Sequence, residues 1–376
     1  MEENKYLVSI IIPTKNRHEQ LLKTLLSHSF WPSHLSLKIE LIITDNSTSY
    51  LHKSLLEDVI KIFPNTIYNH IANDISIAEN FLNGFNLSSG RWIVFIGDDD
   101  FFMPSIVKIL ESNYLNTNFD AVVYNPHKYY WDSCVFLNKN VIGYPGSLVL
   151  SKAWNNEKID SLVELKRSLK NGGLTIEKMP RAYHGILKRS VFKKHCIKEN
   201  KLYLGSPDIS LATILASYKL NVLSISQSPT IYGASSGSGG GMTTSKTHIL
   251  PLNSIGFLLE DFIKNWDRKI PAYWSEYTVF PASILYVNKK YNLTLPVKIN
   301  YASIYITCFL NEFSHKSYIY SSIKQLELMN LICTIGNAPL ALVRKFIGML
   351  FRKFTKKAGI KSYIVLSPSD LIKYDQ

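Results

Sequence analysis

The stretch "GRWIVFIGDDDFFMP", Gly90 to Pro104, decides how this chain is read. Trp92 to Ile96 form an unbroken apolar run, the pattern of a strand buried on both faces. It ends in three consecutive aspartates, Asp98, Asp99 and Asp100, with Phe101 and Phe102 directly behind them. Adjacent carboxylates repel one another, and a hard divalent cation such as Mg2+ or Mn2+ relieves that repulsion. No D-x-D-x-D-G loop closed by a glutamate is present, so the triplet is not an EF-hand.

Upstream, strand and helix signals alternate. "YLVSIIIPT" (6–14) is a β-branched run stopped at Pro13, and "HEQLLKTLLSHSF" carries leucines at 21, 22, 25 and 26, a helical spacing. "LKIELIITDNS" supplies a second strand, and "SIAENFLNGFNL" a second helix with apolar positions 77, 78, 81, 82 and 85. This order predicts an α/β fold with a mostly parallel sheet flanked by helices. Ligands of such sheets bind beyond the carboxyl ends of the strands, which here read "PTKNR", "TDNS" and "GDDD".

Composition agrees with a globular protein. The chain has 376 residues, 46% hydrophobic and 19% charged, so it is neither disordered nor a bare tail, and no apolar run reaches the length of a membrane span. Its start, "MEENKYLVSIIIP", lacks the pattern of a signal peptide, and a cytoplasmic protein is expected. Cys134, Cys196, Cys308 and Cys333 form no C-x-x-C pair, so reduced core cysteines are expected rather than a zinc site. The net charge of +13 points to an anionic partner.

Downstream, "FDAVVYN", "YHGILKRSVF" and "LNVLSIS" read as strands and "DISLATILASYK" as a helix. The Gly/Ser/Thr-rich stretch Tyr232 to His248 reads as a mobile loop, a lid or a linker, and a domain boundary is expected there. The expected domains are 1–240 and a mainly helical 249–376. A basic amphipathic helix is expected over about 338–358. Arg344, Lys345, Arg352, Lys353, Lys356 and Lys357 fall on one side and Val343, Phe346, Ile347, Leu350, Phe351 and Phe354 on the other. Such a helix suits the interface of an anionic membrane.

"VSIIIPTKNRHEQLLKTLLS", "IITDNSTS" and "IAENFLNGFNLSSGRWIVFIGDDDFFMP" together resemble the N-terminal half of family 2 glycosyltransferases of the Rossmann-like GT-A fold. A weaker likeness continues through "HGILKRSVF" and "GSPDISLATILASYK". The resemblance implies that Pro13, Thr14, Arg17 and Asp98 face the nucleotide, that Asp45 meets its base, and that Asn80 faces the diphosphate. It implies a metal site at Asp99 and Asp100, with His248 as a late ligand, and makes Asp208 the catalytic base of an inverting transfer. Two positions depart from the family: Thr44 precedes Asp45 where a second acid is common, and Glu79 stands where a basic residue is frequent. His184 reads as a packed core histidine.

The implied cofactors are Mn2+ or Mg2+ and a nucleotide-sugar donor, a UDP-sugar being favoured. The implied acceptor is a glycan on a polyprenyl diphosphate lipid at the inner face of a bacterial membrane, in O-antigen or capsule synthesis. No nucleic acid partner is expected, because no stacking aromatics interleaved with basic residues lie near the sheet. A "QxxRW" signature is absent, so transfer is expected to be non-processive. Two alternatives stay open, a sugar nucleotidyltransferase and a non-catalytic carbohydrate-binding module. The first needs a glycine-rich basic loop in place of "PTKNR", and the second leaves three acids at a strand end unexplained.

Overall fold

The computed structural model describes residues 5–112, 119–138, 141–176, 178–255, 258–328, 330, 332, 334–343, 347, 362–364 and 368–375. Its first half is the expected open sheet. Strands β1 (Tyr6–Thr14), β2 (Ile39–Asp45), β3 (Thr66–His70) and β4 (Gly90–Phe95) run parallel in the order β3-β2-β1-β4. Alternate residues feed two cores on opposite faces of this sheet, as the period of two in a strand requires. Ile11, Ile42, Ile93 and Phe95 enter one core, while Ile10, Ile12, Leu41, Ile43, Trp92 and Val94 enter the other. Strand β3, "TIYNH", is half-buried throughout and has no apolar run to announce it.

After β4 the chain leaves this sheet through the three aspartates and enters a second one. Strand β5 is the pair Phe101–Phe102 that follows them. Next in chain order come β6 (Ala121–Val123), β7 (His127–Tyr130), β8 (Ser147–Val149), β9 (Glu157–Ile159), β10 (Ile186–Lys188), β11 (Val222–Ser224) and β12 (Thr230–Ala234). The remaining three are β13 (Leu250–Pro251), β14 (Tyr273–Trp274) and β15 (Ser362–Ile364). The first sheet continues beyond β4 as β10-β6-β11-β9, and the second has the order β15-β8-β7-β12-β5. The aspartates therefore occupy the link between the two sheets, and the phenylalanines behind them are fully buried. "YHGILKRSVF" is shorter as a strand than expected, because Arg189–His195 already forms a helix.

One expectation is corrected. Tyr232 to His248 is not an open loop: its start completes β12 and Gly239–Ser245 is a helix capped by Ser238. Glycine permits the close packing here, since a Cβ on Gly233 would lie 1.7 Å from the Asp99 carbonyl oxygen, and one on Gly241 would lie 1.8 Å from that of Ser235. Side chains from either side of the boundary expected between 240 and 249 pack together. Ile284 and Ile304, from the helices Glu276–Tyr291 and Tyr301–Asn311, share one buried cluster with Ile11 and Phe95. Strand β15 pairs with β8, and Leu371 packs into the core of Phe101, Tyr129 and Trp131.

Of the helix expected over about 338–358, residues 338–343 and 347 are helical, and the rest lies outside the described residues. Cys333 also lies outside them, whereas Cys134, Cys196 and Cys308 are buried and reduced. Among the described residues no helix is long and apolar enough to cross a membrane.

Candidate active site

The carboxyl ends of β1 and β4 meet at a cavity of about 530 Å³, the size of a small-molecule site. Pro13, Thr14, Lys15, Arg17, Asn80, Asp98, Asp99 and Asp208 line it, so seven of the ten residues nominated from sequence converge on one space. Asp45, Asp100 and His248 do not line it.

The aspartates divide their work. Asp98 accepts a hydrogen bond from the Thr14 hydroxyl at 2.6 Å, and its other oxygen, buried without a hydrogen-bond donor, lies 3.0 Å from the Arg17 guanidinium. Asp99 lies 3.2 Å from Arg17 and accepts from the Ser235 backbone N–H at 3.0 Å and its hydroxyl at 2.6 Å. Burial pushes both carboxyls above the ordinary range; Arg17 offsets part of this, and the neighbouring aspartates add to it. In return the two carboxylates overcome the burial of Arg17 and hold its guanidinium firmly charged.

Asp100 turns into the protein. One oxygen accepts from the Gly97 N–H at 2.6 Å, from His184 Nε2 at 2.8 Å and from the Tyr183 hydroxyl at 3.1 Å. The other accepts from the Gly233 N–H at 2.6 Å. Burial opposes its charge, but these donors, His184 foremost, hold its carboxyl below the usual range. Both oxygens of Asp100, which the resemblance assigns to the metal, thus take part in fixing the loop. His184 is buried, but it is more than packing. Its backbone sits at φ 49°, and its Nδ1 meets the Thr230 hydroxyl at 2.8 Å, which links β12 to the aspartate loop.

Asp45 ends β2 fully buried, with His18 Nε2 at 2.5 Å and the Tyr68 hydroxyl at 2.6 Å on one oxygen and Ser47 on the other. These bonds engage both oxygens of the carboxylate that the resemblance assigns to the nucleotide base. Asn80 donates to the backbone carbonyls of Thr44 at 3.1 Å and Thr14 at 3.4 Å, clamping the ends of β1 and β2. Glu79 has a local explanation, since with Ser76 it forms the capping box of the helix Ile77–Leu87. That helix begins at the cavity, as does Pro207–Ala216.

Asp208 lies in the first turn of Pro207–Ala216, half-buried at the cavity. One oxygen accepts from the Ser206 hydroxyl and the Ile209 N–H, and burial outweighs these bonds to raise its carboxyl. The Ser206 N–H donates to the Ser283 hydroxyl at 2.8 Å, so the helix Glu276–Tyr291 fixes where Asp208 begins. His248 faces the buried Glu312 carboxylate at 3.8 Å, and among the described residues no group of three His, Cys, Asp or Glu side chains is placed to hold a metal ion.

Several lining residues escaped the sequence reading: Tyr183, Tyr232, Gly233, Ser238 and Trp274. The dense glycines of "YGASSGSGGG" were the available signal, because glycine marks close approach of backbones as often as a flexible loop.

Comparison with known proteins places the first part of the chain. Residues 9–156 match the family model described as Glycosyl transferase family 2. An uncharacterized glycosyltransferase of Haemophilus influenzae is 30% identical over 126 residues, 32% of this chain and 39% of that protein. The chain thus matches about two fifths of the length of this curated relative. Among solved structures, S. aureus TarS 1–349 in complex with UDP-GlcNAc is similar with a TM-score of 0.46 at 12% identity, over 89% of this chain and 81% of that one. The mannosyltransferase PcManGT from Pyrobaculum calidifontis, in complex with GDP-Man and Mn2+, is similar with a TM-score of 0.37 at 12% identity, over 88% and 86%.

Proposed function

We propose that the chain, whose residues 9–156 match the model described as Glycosyl transferase family 2, transfers one sugar from a nucleotide-sugar donor to a hydroxyl acceptor, with inversion. The observation that carries this reading is the convergence of Arg17, Asp98, Asp99 and Asp208 on one cavity. Arg17 and Lys15, with the start of the helix Ile77–Leu87, offer positive charge to a diphosphate. Asp208 accepts the proton of the acceptor hydroxyl while that oxygen bonds to the anomeric carbon. The bond from that carbon to the diphosphate breaks, and its electrons leave with the nucleoside diphosphate. The raised carboxyl of Asp208 suits a group that must take a proton.

A divalent ion fits the donor set when the diphosphate completes its shell. Asp98 and Asp99 line the cavity with hard oxygens, one of them lacking a hydrogen-bond donor, and Mg2+ or Mn2+ typically takes one or two carboxylates plus phosphates. These two residues would hold it. An ion held there would supply positive charge against that of a departing diphosphate.

A membrane-bound, lipid-linked acceptor is the finer reading. It is supported by the exposed apolar side chains of the C-terminal region, among them Phe309, Phe313, Leu328, Ile335 and Ile347, together with the basic residues between Arg344 and Lys357. Surface-polysaccharide synthesis at the inner face of a bacterial membrane is the setting such an acceptor implies. The test is turnover of a panel of UDP- and GDP-sugars with and without EDTA. Chelator-sensitive release of nucleoside diphosphate from one donor is expected, and no release from any donor sinks the reading.

A further inference from the structure

The cavity lining changes character away from its charges. Tyr183, Tyr232 and Trp274 contribute aromatic surface to the same space as Asp208. Trp274 lies far outside the family-matched segment, yet its backbone is fixed with unusual care. It pairs with Leu250 across β13 and β14. On either side of it, the Tyr273 hydroxyl donates at 2.7 Å and the Ser275 hydroxyl at 3.1 Å to the same oxygen of Glu312. Glu312 is only 3% exposed, and a carboxylate is costly to remove from water, so its bonds must bring a compensating gain. The Thr278 hydroxyl adds a bond to the Tyr273 carbonyl, and the Ser275 N–H bonds to Thr278. The result is a half-buried tryptophan held at the wall of a cavity that Asp208 also lines.

One face of a pyranose ring is a patch of C–H groups, whereas its edges carry hydroxyls. An aromatic wall beside a carboxylate suits that division, with apolar contact for the ring and an acceptor for one hydroxyl. We propose that Trp274 is the platform on which the acceptor's sugar ring rests, with Glu312 as the residue that positions it. This rests on the glycosyltransferase reading and names the substrate class of its second site as a pyranoside.

The experiment is saturation-transfer NMR with the methyl glycosides of glucose, galactose, mannose and N-acetylglucosamine, run beside calorimetric titration of UDP and GDP with Mn2+. The full chain should show transfer to at least one glycoside. Trp274→Ala should weaken that binding roughly tenfold, as loss of an aromatic anchor does, while nucleotide affinity stays unchanged. Trp274→Phe should restore part of it. Glu312→Gln should weaken glycoside binding at temperatures where its circular dichroism matches that of the parent chain, a loss that a purely structural role would not cause. Equal transfer to the parent and Trp274→Ala chains, or none to the parent, overturns the platform. Glycoside binding without nucleotide binding overturns the glycosyltransferase reading and leaves the platform standing.

Discussion

The two walls of the cavity are built in opposite ways. One is made of the ends of two neighbouring parallel strands: β1 and β4 stop, and Thr14, Arg17, Asp98 and Asp99 project where they stop. The other is assembled from pieces far apart in the chain. Gly233 and Ser235 clamp the aspartates, Ser206 and Ser283 set Asp208, and Glu312 sets the flanks of Trp274. The first wall is specified by local pattern and the second by tertiary contact. Substitutions should therefore act differently on the two.

The largest effect should come from the second wall. Asp208→Asn should lower turnover by a factor on the order of 10² to 10⁴, the range for loss of a general base, with nucleotide affinity little changed. A loss of affinity equal to the loss of rate would move Asp208 from the chemistry to donor binding. On the first wall, Asp99→Asn should cost on the order of 10² to 10³ in rate, as loss of one charge-stabilising group does, and should weaken nucleotide binding as well. Steady-state kinetics separate the two patterns.

A smaller effect concerns stability and the first region alone. His28 is fully buried, its Nδ1 2.9 Å from the Thr24 carbonyl and its Nε2 accepting from the Phe102 N–H at 3.3 Å. Burial pushes it down to about 4 from 6.5. As pH falls below 6.5 the unfolded chain takes up the proton first, so stability drops until about pH 4 and levels below it. The span of about 2.5 units corresponds to about 3 kcal/mol. Denaturant midpoints at pH 7 and pH 5 measure the slope, and His28→Phe should remove the share of it that His28 contributes.

The smallest effect joins the two walls. In Gly233→Ala the new methyl meets the Asp99 carbonyl, and forced overpacking of this kind costs about 1–3 kcal/mol. Its melting temperature should fall and its turnover should fall with it. A stable, fully active Gly233→Ala chain would show that β12 does not hold the aspartate loop.

The same contrast explains what was legible in the sequence. β1, β2, β4 and the helix Ile77–Leu87 were readable because apolar period and strand-end polarity are local signals. β3 was not, for "TIYNH" is half-buried and lacks that period. The three aspartates read as a site, but only the fold separates them: His184, Tyr183 and Gly233 claim Asp100, and Arg17 meets Asp98 and Asp99. Likewise no local pattern could tell that His18 and Tyr68 meet Asp45, or that a glycine-rich stretch forms a strand end, a helix and part of the cavity lining.

The central claim is that Arg17, Asp98 and Asp99 form the diphosphate end of a donor site. Calorimetric titration of UDP and GDP into the chain, with Mn2+ and with EDTA, tests it most directly when repeated on Arg17→Ala and Asp99→Asn. Binding of one nucleotide that weakens with chelator and in both variants is the predicted result. Binding that is indifferent to chelator and to both substitutions, or no binding of either nucleotide to the parent chain, would contradict it.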